Sequence, residues 1–116
     1  MKEIKKKIAE LVALNGMDDY SKFDERYKKQ EKLFEELTAL ARKNKTLLGR
    51  ILKYGVADGQ AAYVISKVNQ KTVRLQWIDY VDGYNAFGIH NIEINIPMKE
   101  AFALCNFDDF MDGLRK

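Results

Sequence analysis

The chain has one cysteine, one histidine, one proline and one tryptophan in 116 residues, and each scarcity closes off a class of explanation. A single thiol, Cys105, makes no internal disulfide, so the fold is expected to rest on its core and to belong to a reducing compartment, which predicts a cytoplasmic protein. With His90 as the only imidazole there is no Cys/His spacing for zinc and no multi-histidine metal site. No run approaches the roughly 18 consecutive apolar residues of a membrane span. The basic N-terminus is interrupted by Glu3 and Glu10 and leads into no continuous apolar segment, so it does not read as a targeting signal. There is no internal repeat and no low-complexity linker.

What is present is the composition of an ordinary globular chain, 47% hydrophobic and 32% charged, of a size for one domain over residues 1–116. Charge is uneven although the net is only +3. Residues 1–41 carry nine Lys/Arg against nine Asp/Glu, residues 42–74 carry eight against one, and residues 75–116 carry three against seven. The middle block is either an electrostatic footprint for a polyanion or the complement, within the fold, of the acidic last third.

Apolar residues at helical spacing predict a first helix over residues 2–14, closed by Asn15-Gly16, and a longer one over residues 21–44 opened by a Ser21/Asp24 capping pair. The second helix has an apolar stripe of Phe23, Tyr27, Leu33, Phe34, Leu37, Leu40 and Ala41, and a mixed-charge outer face. Four strands follow, over residues 47–54, 61–68, 71–80 and 92–96, with Asp58-Gly59 as a turn and residues 81–91 as a long loop. The second and third strands form a hairpin about Asn69-Gln70. Continuous pleat then puts Ala62, Val64 and Val68 on the core side with Val73, Leu75 and Trp77, leaving Tyr63, Ile65 and Lys67 beside Arg74, Gln76, Ile78 and Tyr80. Pro97 stops the fourth strand; a short helix over residues 99–105 follows, and a stripe of Phe107, Phe110, Met111 and Leu114 is expected to pack the tail back on the sheet. The fold class is α+β: an N-terminal helical part (1–45) on a curled, four-stranded antiparallel, SH3-like sheet (46–97), and a C-terminal helical tail (98–116).

Little in the chain carries chemistry. Cys105 sits among Phe102 and Leu104 and fits an inert buried thiol. His90 has no evident partner. Asp58, Asp79 and Asp82 lie at turns where carboxylates serve their own backbone, with a divalent ion as the alternative. The glycines match neither phosphate-binding pattern. The expectation is therefore a non-enzymatic protein with no cofactor and no metal site. The binding residues expected are Tyr63, Lys67, Arg74, Gln76 and Tyr80 on the second face of the hairpin, flanked by Arg50, Lys53 and Lys71, with Tyr84 and Phe87 on the neighbouring loop. Interleaved basic and aromatic groups suit either a protein interface or unpaired bases and phosphates. The competing reading is structural: the long second helix covers this face.

Over residues 49–84, the segments Val56-Ala57-Asp58-Gly59-Gln60-Ala61-Ala62-Tyr63-Val64-Ile65-Ser66-Lys67-Val68-Asn69-Gln70-Lys71-Thr72-Val73-Arg74-Leu75 and Trp77-Ile78-Asp79-Tyr80-Val81-Asp82-Gly83-Tyr84 resemble a pattern in small uncharacterised proteins of phages and other bacterial mobile elements. The resemblance implies a bacterial or phage cytoplasmic protein and brings no catalytic residues. By analogy of setting with other small phage-borne proteins, the expectation is an inhibitor, of the anti-CRISPR kind, that occupies a surface on a host protein or nucleoprotein. Direct DNA or RNA binding through the basic middle block is the alternative, and a metal-dependent enzyme the third. No membrane association is expected; the oligomeric state stays open, a homodimer included.

Overall fold

A computed structural model describes residues 2–15, 23–54, 61–78 and 93–114. Helices α1 (Lys2–Asn15) and α2 (Phe23–Lys43) precede strands β1 (Ile51–Tyr54), β2 (Ala61–Val68), β3 (Thr72–Trp77) and β4 (Glu93–Pro97), and helix α3 (Met98–Leu114) ends the described chain. The strands form one curled antiparallel sheet in the order β1-β2-β3-β4, the expected α+β arrangement.

The sheet is buried on both sides, by different helices. On one face Leu52, Tyr63, Ile65, Val73, Leu75, Trp77 and Ile96 meet Ala101 and Cys105 of α3. On the other, Val64 and Ile78 meet Ile4, Ile8 and Leu11 of α1 and Leu33 and Leu37 of α2. The run Tyr63-Val64-Ile65 is thus buried on alternate sides, and each large side chain so placed stabilises by about 1.5–3 kcal/mol. The two N-terminal helices are joined by a Lys7–Glu36 ion pair, and the Gln30 side-chain amide donates to the Ile78 carbonyl at the end of β3.

The hairpin departs from the expected register. Val68 pairs with Val73 and the Asn69 N–H donates to the Thr72 carbonyl, so Gln70 and Lys71 form the turn. A β-bulge between Ile65 and Lys67 then inverts the pleat for the first half of β2. Tyr63 and Ile65 therefore lie on the core side with Trp77 and Leu75, and Ala62 and Val64 turn to the N-terminal helices. The strand expected from residue 47 begins at Ile51, and Tyr27, expected in the α2 core stripe, is more than half exposed. The tail is a single helix rather than a short helix and a folded-back stripe. Its Phe107, Phe110 and Leu114 face away from the sheet, because Ala101, Cys105 and Leu104 already occupy the inward side at helical spacing. The Asn15-Gly16 stop, the Ser21/Asp24 pair and the Asp58-Gly59 turn involve residues or side chains outside those described.

Between α2 and β1 the chain turns sharply. The Lys45 N–H donates to the Arg42 carbonyl and the Thr46 N–H to the Ala41 carbonyl, a Schellman closure with Lys45 in the left-handed region at φ 51°. Gly49 follows at φ 91°, and its N–H donates to the Ile65 carbonyl while the Ile65 N–H donates to Arg50, extending the β1–β2 ladder backwards. A Cβ at Gly49 would stand 2.9 Å from the Ile4 side chain and 3.4 Å from that of Leu37. Glycine is required here twice over, by conformation and by the approach of α1 and α2. Gly49→Ala is expected to destabilise by about 2–3 kcal/mol through backbone strain and displacement of Ile4, read as a lowered urea midpoint at unchanged slope.

Candidate binding surface

The two N-terminal helices cover only the β1–β2 half of their sheet face. Among the described residues no helix packs on that face over β3 and β4, and register decides what stands there. Lys67 is directly opposite Arg74, Arg74 is opposite Asn95, and Gln76 is opposite Glu93. Cross-strand partners point the same way, so Lys67, Arg74 and Asn95 form a row across three strands, with Gln76 and Glu93 beside it. Lys67, Asn95 and Glu93 are exposed; Arg74 and Gln76 are half-buried. Like charges directly opposite each other on a sheet are destabilising. Among the described residues neither Lys67 nor Arg74 has an ion-pair partner.

Of the residues expected to bind, Lys67, Arg74 and Gln76 are brought together. Tyr63 is not: it is 4% exposed, on the opposite side of the sheet against α3, because of the bulge. Arg50 is not a surface flank either, at 7% exposure. Its backbone pairing with Ile65 aims it at the α3 side, where its guanidinium donates to Asp109 Oδ1 at 2.7 Å and Oδ2 at 3.3 Å and to the Cys105 carbonyl at 3.4 Å. Lys53 is exposed on β1, away from the row, at a groove between α2 and α3. Tyr80, Tyr84 and Phe87 lie outside the described residues, as do His90, Asp58, Asp79 and Asp82.

Arg42, at the end of α2, reaches the same carboxylate as Arg50, with Nη2 2.9 Å and Nε 3.2 Å from Asp109 Oδ1. One carboxylate thus ties the end of α2 and the lead into β1 to α3. The hydrogen bonds from Arg50 hold the Asp109 carboxyl below its ordinary range, with Arg42 adding to them against the opposing effect of burial. Burial works against the Arg50 charge and is outweighed by its bonds to Asp109. Asp108 is pushed the other way, chiefly by desolvation. Burial likewise raises the Cys105 thiol, which is enclosed beneath α3 as the apolar context of its helix suggested.

Sequence reasoning missed a second surface, the outward side of α3. Phe107 and Phe110 are 61% and 64% exposed, and with Ala103 and Leu114 they form a 4-3-4 row of the kind that packs helix against helix. The signal was present: a helix apolar on two sides needs two partners. Beside this row an open groove of about 580 Å³ runs along β1, between Phe34 of α2 and Leu104, Phe107 and Met111 of α3.

No helix among the described residues is long and apolar enough to cross a membrane, and no group of three or more His, Cys, Asp or Glu among them could hold a metal ion. No protein-family model, curated protein or solved structure matches the chain.

The shared carboxylate gives a pH-dependent prediction. Asp109→Asn is expected to lower stability at neutral pH by about 1–2 kcal/mol, less than for a fully buried pair because the Asp109 side chain is 45% exposed. The folded state binds the Asp109 proton more weakly than the unfolded chain does, so this stabilisation is complete above the ordinary carboxylate range and is lost as pH falls through the lowered folded value. Urea melts of wild type and Asp109→Asn should therefore differ at pH 7 and converge as the pH falls below the ordinary carboxylate range.

Proposed function

We propose that this chain is a non-enzymatic binding protein that docks the open sheet face carrying Lys67, Arg74, Gln76 and Asn95 on an anionic surface of a macromolecular partner. The observation that carries this is the Lys67–Arg74 pair: two cations held opposite one another, without a carboxylate partner among the described residues, where a neutral pair would serve the sheet better. A partner's carboxylates or phosphates remove that repulsion on binding, and steer the encounter as well. The resemblance of residues 49–84 to mobile-element proteins supplies the finer reading, a cytoplasmic inhibitor that occupies a host nucleoprotein such as a CRISPR effector, whose bound nucleic acid offers phosphates to such a row.

Direct binding of DNA or RNA is the second reading, favoured by the same row and by exposed Lys71 at the neighbouring turn. The burial of Tyr63 weakens it, since base stacking there would need an aromatic on the open face.

The double reversal Lys67→Glu/Arg74→Glu is expected to abolish partner capture from bacterial lysate while shifting the melting temperature by no more than a degree or two, as surface changes away from the core do. Capture that survives nuclease treatment supports a protein partner. Capture lost with nuclease, together with filter retention of nucleic acid that falls steeply with salt, supports the second reading. Unchanged capture by the double variant overturns both.

A further inference from the structure

β1 is an edge strand of four residues, paired only with β2 among the described residues. Its free edge is the floor of the groove, with Phe34 on one flank and Phe107 and Met111 on the other. Open edges are templates for another strand. We propose that a second copy of this chain docks here, β1 against β1 antiparallel across a twofold axis, with the two α3 helices meeting where Phe107 and Met111 flank that edge. This goes beyond the sheet-face reading and does not rest on it.

Charge argues for a copy over an unrelated strand. The groove is lined by one cation on the strand, Lys53, and by carboxylates on the flanking helices, Glu31 on α2 and Asp108 on α3. A twofold axis at the β1 edge keeps α2 of both copies on one side of the joined sheet, so Lys53 faces the partner's Glu31, and Glu31 faces the partner's Lys53. A surface with both signs placed about a strand edge is self-complementary in this way. The α3 row itself is uncharged between Ala103 and Leu114, the composition of an interface centre.

Area argues for using both features. At roughly 150–250 Å² for a whole aromatic side chain, the exposed parts of Phe107, Phe110 and Leu114 supply about 300–400 Å² per copy. A stable interface takes about 800 Å² from each partner. The helix row alone falls short of that, so a stable dimer also requires the groove and the strand edge.

Sedimentation velocity and native mass spectrometry on the full chain test this. The wild type is expected to run at twice the 13.5 kDa chain mass at micromolar concentration. Phe107→Glu should weaken the dimer by at least about 30-fold, the effect of losing a central aromatic, with an unchanged circular-dichroism spectrum because the side chain is mostly exposed in the monomer. Lys53→Glu and Glu31→Lys should each weaken self-association by about tenfold through like-charge contacts. Mixed together, they should form a heterodimer, since each then meets its opposite. A contact within one copy cannot produce that result. A wild type that stays monomeric at about 100 µM, where interfaces of this size associate, overturns the proposal. So does a dimer that Phe107→Glu leaves intact, or a mixture of the two charge variants that does not pair.

Discussion

One carboxylate, Asp109, receives two guanidiniums from separate parts of the chain, and the position of α3 depends on it. Arg42 comes from the last turn of α2 and Arg50 from the lead into β1. The apolar contacts of α3 with the sheet run through Met98, Ala101, Leu104 and Cys105, all in its first half. Asp109 lies one turn beyond them and anchors the second half, where the exposed phenylalanines stand. Removing it would leave Arg50 buried with its charge unanswered, the arrangement that costs most in a protein interior. The clip also relies on the backbone before it: Gly49 at positive φ carries the chain round so that Arg50 pairs with Ile65 and faces α3.

The same clip settles much of what the basic middle block does. Its eight cations suggested either an electrostatic footprint or an internal complement to the acidic last third, and the fold puts two of them to the second use. Arg42 and Arg50 are the internal part, joined to Asp109. Lys43, Lys45, Lys53, Lys67 and Lys71 remain exposed, and Arg74 half so. Lys67 and Arg74 alone among these stand opposite one another in the ladder, which fixes the spacing between the two charges.

Periodicity made the helices, the four strands and their antiparallel order legible, because each depends on local spacing and on turn residues that punctuate it. Facing was another matter. A single extra residue at Ser66 inverts the pleat, and alternation in Ala61–Val68 is too weak to show it, since Tyr63, Val64 and Ile65 are apolar in succession. Tyr63 was misplaced for that reason, while Lys67, beyond the bulge, was placed correctly beside Arg74. Arg50 was unreadable in a different way. A buried arginine is announced by its partner, and Asp109 lies 59 positions further along the chain. The outward row of α3 was visible as residues but assigned to the wrong partner. Phe107, Phe110 and Leu114 repeat at helical spacing, and spacing identifies a face without saying what covers it.

The two proposed surfaces do not compete for the same ground. The cationic row stands on β2 to β4, on the side of the N-terminal helices; the α3 row lies on the other side, and β1 forms the opposite edge of the sheet. In a dimer joined at β1 the strands run 4-3-2-1-1-2-3-4, and a twofold axis through the sheet keeps both cationic rows on one side. Five strand spacings then separate the two copies of β3, about 24 Å before twist. Two rows at a fixed spacing engage an extended anionic partner as one bivalent unit, so the second contact forms at high effective concentration. A row of two or three polar side chains is weak alone, and pairing the chain through its apolar edge is what would make so small a surface sufficient.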